Sequence, residues 1–211
     1  MKYSAVIFDL DGVICHTDHY HYMSWKQIAN DLSIYFDENI NNRLRGVSRM
    51  ESLEIILEKY NGRLTNEEKM MYAEKKNNIY RSLLSEMSPA DLSDDVRKTL
   101  VQLKKKGYML AIGSSSKNAK FILNKLGLGD FFDTVSDGTN ITRSKPDPEV
   151  FIRAREYLKV TSEKCIVVED AKSGIEAAIA ANMDCAAIGD AVLCGLATYN
   201  LNRLSDLLLF L

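Results

Sequence analysis

The chain has 211 residues, 46% hydrophobic and 27% charged, with a formal net charge of −2. Its length suits one large domain or a core carrying a smaller insert. A pI of about 6.0 excludes the basic excess of a nucleic-acid binder. No run approaches the roughly 18 apolar residues of a membrane span, and the first apolar run stops at Asp9, too early for a secretion signal.

In chain order, Ala5-Val6-Ile7-Phe8 reads as a buried strand that runs into Asp9-Leu10-Asp11-Gly12. Tyr22, Trp25, Ile28, Ala29 and Leu32 then recur at helical spacing, predicting a helix over about 19–32. A second helix follows Ser48, with Leu53, Ile56, Leu57 and Tyr60 on one face. A third opens at the capping-box pattern Thr65-Asn66-Glu67-Glu68 and runs to about Leu84. Nothing over 16–88 reads as a strand, so this block is expected to be an inserted helical domain, with the core built from 1–15 and 89–211.

Beyond Pro89 strands and helices alternate. A helix from about Asp94 ends at Lys104-Lys105-Lys106-Gly107, with cations on the negative end of its dipole. Strands are expected at Tyr108–Ile112, Thr134-Val135, Cys165–Val168 and Cys185–Ile188. Helices are expected at Lys117–Leu126, from Asp147-Pro148 (an N-cap followed by Pro), at Ala171–Ala181 and at Leu204–Leu211. This alternation predicts a parallel sheet covered on both faces. The four cysteines (Cys15, Cys165, Cys185, Cys194) form no C-x-x-C pair and read as reduced core thiols of a cytoplasmic protein.

Four polar clusters follow strand ends: Asp9/Asp11, Ser114-Ser115-Ser116, Lys145 and Glu169-Asp170. In a doubly wound fold these meet at one edge of the sheet. Singly, each has an ordinary structural reading as an Asx turn, a helix cap, a solvated charge or a loop; four such endings together point to a site. Asp9, Glu169 and Asp170 are hard oxygen ligands that call for a cation, Mg2+ being usual beside phosphate. Lys145 and the serine hydroxyls supply donors for phosphate oxygens. A carboxylate can act as nucleophile in phosphoryl transfer, and a second one two residues away can handle the proton.

Asp9-Leu10-Asp11-Gly12-Val13, Ser114, Lys145-Pro146 and Glu169-Asp170 resemble the four motifs of the haloacid dehalogenase superfamily of phosphotransferases, over nearly the whole chain. The resemblance implies a Rossmann-like α/β core with an inserted all-helical cap. It makes Asp9 the nucleophile and Asp11 the general acid/base, with Mg2+ held by Asp9, the Asp11 carbonyl, Glu169 and Asp170. Within the superfamily, Thr17, His21, Trp25, Leu44-Arg45-Gly46-Val47-Ser48-Arg49, Ser52, Lys76-Asn77 and Ser114-Ser115-Ser116-Lys117-Asn118 are similar to the β-phosphoglucomutase subfamily. That likeness assigns Arg49, Ser116, Lys117 and Asn118 to the phosphate that is not transferred. It assigns Thr17, His21, Gly46, Val47, Ser48, Ser52 and Lys76 to the sugar and to cap closure. A mutase must hold a bisphosphate in either orientation, which gives a planar, always-charged Arg49 a purpose.

Read without the resemblance, His21 fits a helix surface, Trp25 fits cap core equally well, and Lys76 beside Lys75 fits a solvated face. Two positions depart from the family pattern: His16, where an acidic residue is usual, and Ala171, where Ser is usual. The expected partner is a small phosphorylated sugar handled by a monomer, with no nucleic acid or membrane involved. A sugar-phosphate phosphatase on the same fold and a non-catalytic phosphate-binding protein are the competing readings.

Overall fold

A computed structural model describes residues 2–211. The first strand, β1 (Ala5–Phe8), is followed by four helices: α1 (Asp18–Asp31), α2 (Glu38–Asn42), α3 (Arg49–Leu57) and α4 (Asn66–Leu84). The chain then alternates through α5 (Asp94–Lys105), β2 (Met109–Gly113), α6 (Ala119–Lys125), β3 (Thr134–Ser136), α7 (Glu149–Leu158), β4 (Cys165–Glu169), α8 (Lys172–Ala180), β5 (Asp184–Ile188) and β6 (Tyr199–Leu201). All six strands pair in parallel, in the order β3-β2-β1-β4-β5-β6.

Side chains alternate along each strand, so a sheet covered on both faces needs apolar residues at every position. Val6, Phe8, Leu110, Ile112, Ile166 and Val168 join one layer, closed by α5 and α6. Ala5, Ile7, Ala111, Cys165, Val167 and Cys185 join the other, closed by α7 and α8. The inserted helices bury their own cluster of Trp25, Ile28, Phe36, Leu53, Ile56 and Ala73. The end of α4 is anchored elsewhere, because Tyr80 and Leu84 pack into the first sheet layer.

The Thr65 capping box forms as expected: Glu68 N donates to Thr65 Oγ1 at 3.2 Å, and Thr65 N donates to Glu68 Oε2 at 2.7 Å. All four cysteines are free thiols. Among the described residues, no helix is long and apolar enough to cross a membrane.

Several expectations are corrected. Helix α2 was not anticipated; its five residues are too few for periodicity, and Asp37 starts it by accepting from Ile40 N at 2.9 Å. Helix α7 begins at Glu149, with Pro148 rather than Asp147 in the cap position, although Asp147 Oδ1 still accepts from Glu149 N at 3.0 Å. Helix α6 is shorter than predicted and leaves Lys117 and Asn118 outside it. The closing element is a 3-10 helix over Leu204–Leu209, and the short edge strand β6 precedes it.

Candidate active site

The strand order reverses at β1, which lies between β2 and β4, so their carboxyl ends form the crevice of a doubly wound sheet. Asp9 leaves β1 with its N–H bonded to Val168 O at 2.9 Å. The chain then doubles back, with Ile14 N and Cys15 N both donating to Leu10 O. Gly12 makes this turn possible: its φ is +93°, and a Cβ there would lie 2.0 Å from Asp170 Oδ2. Across the crevice α8 closes over the end of β4 so tightly that a Cβ on Gly174 would lie 1.9 Å from Glu169 Cδ.

Lys145 arrives from the loop between β3 and α7 and is buried between two carboxylates, donating to Asp9 Oδ1 and Glu169 Oε1. Burial works against its charge, but Asp9 and Glu169 hold its pKa above the ordinary lysine value. Carboxylate oxygens of Asp9, Glu169 and Asp170 lie within 4.8 Å of one another. Burial, and then the charges of Asp9 and Glu169, push Asp170 above the usual carboxylate range. Three crowded carboxylates facing one ammonium leave an excess of negative charge. This all-oxygen donor set fits a hard divalent cation.

Asp11 stands apart from that group. Its Oδ1 accepts from Thr17 Oγ1, which in turn accepts from the Tyr80 hydroxyl at 3.1 Å. Burial first, and the Asp9 charge second, raise Asp11 to about 7 despite the Thr17 bond. An acid poised near neutrality is suited to passing a proton in either direction.

These groups open into a cavity of about 590 Å³ between the sheet edge and the inserted helices. Asp9, Asp11, Ser114, Ser115, Ser116, Lys117, Asn118, Lys145, Glu169 and Asp170 line it from the core. His21, Trp25, Leu44, Arg45, Gly46, Val47, Ser48, Arg49, Ser52 and Lys76 line it from the helices. Of the residues singled out by the subfamily likeness, Thr17 and Asn77 are not in the lining; Thr17 is buried behind Asp11. Asp18, Asn41, Met50, Met70, Tyr80 and Thr142 line the cavity without having been singled out, and so does Ala171, noted only as a departure from the family pattern. Tyr80, one turn beyond Lys76 on α4, was reachable from helical spacing, whereas Thr142 sits in a loop with no periodic signal.

Lys76 is not a solvated lysine. It is 3% exposed, with Nζ 2.9 Å from His21 Nδ1 and 4.2 Å from the centre of the Tyr80 ring. Burial, then the charge of Arg49, draw it down to about 7. Burial and the Lys76 and Arg49 charges hold His21 well below its ordinary value. Trp25 serves both readings, since it packs in the cap cluster and also lines the cavity. Ser115 Oγ donates across the crevice to Gly46 O at 3.3 Å, and Arg45 links Asp18 on α1 (2.6 Å) to Asp190 of the core (2.7 Å).

A folded-state pKa below the unfolded one means that Lys76 costs stability below about pH 7, and that this cost fades as pH rises toward the unfolded value of 10.5. Lys76→Met is therefore expected to stabilise the ligand-free protein by a few kcal/mol at pH 6.5, with the gain shrinking by pH 10. Urea unfolding at the two pH values measures it; a gain independent of pH would contradict a titrating buried ammonium.

Residues 6–188 match the sequence profile of the haloacid dehalogenase-like hydrolases. The chain belongs to this family. It is 42% identical over 188 residues to a β-phosphoglucomutase of Bacillus subtilis, spanning 88% of this chain and 83% of that one. It is also 33% identical over 184 residues to a phosphorylated carbohydrates phosphatase of Thermotoga maritima, spanning 85% and 82%. The crystal structure of a β-phosphoglucomutase from Clostridium difficile superposes with a TM-score of 0.92 at 38% identity, covering 97% of this chain and 93% of that one. As a member of the family, the protein has the Rossmann-like core with a helical cap inserted after the first strand.

Proposed function

We propose that the protein is an Mg2+-dependent mutase that interconverts β-glucose 1-phosphate and glucose 6-phosphate through glucose 1,6-bisphosphate. The observation that carries this reading is the second, cationic pole of the cavity. Arg49 and Lys117 line it together with the acidic pole of Asp9, Glu169 and Asp170. A bisphosphate needs both poles, one for the phosphoryl group in transfer and one for the other phosphate.

In this reading an Asp9 carboxylate oxygen attacks phosphorus, the bond from phosphorus to the sugar oxygen breaks, and an aspartyl-phosphate results. Asp11 gives its proton to the departing sugar oxygen and later takes one from the hydroxyl that attacks the aspartyl-phosphate. Lys145 keeps Asp9 in place and offsets negative charge at the phosphoryl oxygens, where Ser114 and Ser115 add donors. Asp9, the Asp11 carbonyl, Glu169 and Asp170 would hold Mg2+, which supplies further charge neutralisation there. Ser116, Lys117, Asn118 and Arg49 grip the phosphate that stays. His21, Trp25, Ser52, Lys76 and the loop Leu44–Ser48 surround the sugar, while Thr17 fixes the orientation of Asp11. The core is taken as 1–15 and 89–211, and the cap as 16–88.

Incubation with β-glucose 1-phosphate, Mg2+ and a trace of glucose 1,6-bisphosphate is expected to yield glucose 6-phosphate. Release of inorganic phosphate without isomerisation would instead support the second reading, a sugar-phosphate phosphatase. The Thermotoga maritima relative favours that alternative by its name.

A further inference from the structure

Asn77 follows Lys76 on α4 but is not among the residues lining the cavity. Its Oδ1 accepts two hydrogen bonds, from Arg49 Nη2 at 2.8 Å and from Asn118 Nδ2 at 3.0 Å. Arg49 opens α3 in the cap, whereas Asn118 belongs to the core, so one amide oxygen joins the two sides of the crevice.

The donor chemistry fixes the orientation of both amides. A guanidinium can only donate, so Asn77 must turn its oxygen toward Arg49. Asn118 must then present its nitrogen to the same oxygen. Asn118 occupies the N-cap position of α6, where an asparagine side chain ordinarily accepts from a first-turn N–H. Here it makes no such bond, although it is buried. Arg49 is likewise in an unfavourable place, since a cation at a helix N-terminus opposes the dipole. Each side chain forgoes its ordinary local arrangement and meets the other at Asn77.

We propose that Asn77 is a positioning residue that holds Arg49 and Asn118 together as a two-sided grip on the phosphate that is not transferred. This rests on the role given to Arg49 and Asn118 in the proposed function. Because Asn77 acts only through its two donors, its loss should matter only while they are present. Alanine is a better helix former than asparagine, so Asn77→Ala leaves α4 intact.

The test is calorimetric titration of glucose 1,6-bisphosphate, with Mg2+, into protein carrying Asp9→Asn to prevent turnover. Adding Asn77→Ala is expected to weaken binding about tenfold. In an Arg49→Ala/Asn118→Ala background the same change should weaken it by less than about twofold, the non-additivity of residues that act as one unit. Unchanged affinity in the first case, or equal losses in both backgrounds, would overturn the proposal. If this cycle holds while wild-type protein releases phosphate rather than isomerising, the positioning role stands and the mutase reading falls.

Discussion

Replacing Asp9 by Asn is expected to lower phosphoryl transfer by at least about 10⁴-fold, the scale seen when a covalent nucleophile is removed. Asparagine has nearly the same shape and still offers an oxygen to Lys145, so the site should keep its form. What is lost is the carboxylate proposed to attack phosphorus. The measurement is kcat for glucose 6-phosphate formation, alongside phosphate release from a small ester. A residual rate of more than a few per cent would place the nucleophile elsewhere. Asp11→Asn provides the contrast: it removes proton handling while Asp9 can still be phosphorylated by a reactive donor such as acetyl phosphate.

Lys145→Met should carry the largest structural effect. Lys145 and Glu169 are each 1% exposed at the side chain, and Asp9 is 10% exposed, so the ammonium is the buried counter-charge of two carboxylates. Removing one partner from such a group leaves uncompensated buried charge and costs about 3–5 kcal/mol. For a chain of this size that lowers the unfolding midpoint by about 10 °C. The loss should be largest in EDTA and partly recovered with millimolar Mg2+, since a ligand that binds only the folded state stabilises it. Activity should fall about 10²- to 10³-fold even with Mg2+ present, the usual effect of removing one positioned donor. An unchanged midpoint in EDTA would show that Asp9 and Glu169 do not depend on Lys145.

The core was readable because its signals are local and repeated. The apolar run of β1, the lysine-rich end of α5 and the strand-end carboxylates each follow from a few adjacent residues. The convergence of Asp9, Lys145, Glu169 and Asp170 was readable for the same reason, as a parallel sheet brings successive strand ends to one edge. What escaped depends on contacts between distant segments. Lys76, picked out only by the family likeness, otherwise looks like half of a solvated Lys75-Lys76 pair until α1 brings His21 and Trp25 against it. Thr17 resembles a sugar contact, and only the turn around Gly12 puts it behind Asp11. Helix α2 and strand β6 are too short to show a period, and their positions come from packing and a single cap. The family likeness named Arg49, Asn77 and Asn118 separately, but their meeting at the Asn77 oxygen joins distant segments and has no local signal.

The central claim is that phosphate passes through Asp9. Protein quenched in acid during turnover of glucose 1,6-bisphosphate with Mg2+, then reduced with borohydride, should yield a peptide with homoserine at position 9 and unmodified Asp11. Borohydride reduces an aspartyl-phosphate in this way and leaves a free carboxylate untouched. Aspartate at position 9 throughout turnover, or homoserine at position 11 instead, would contradict the account.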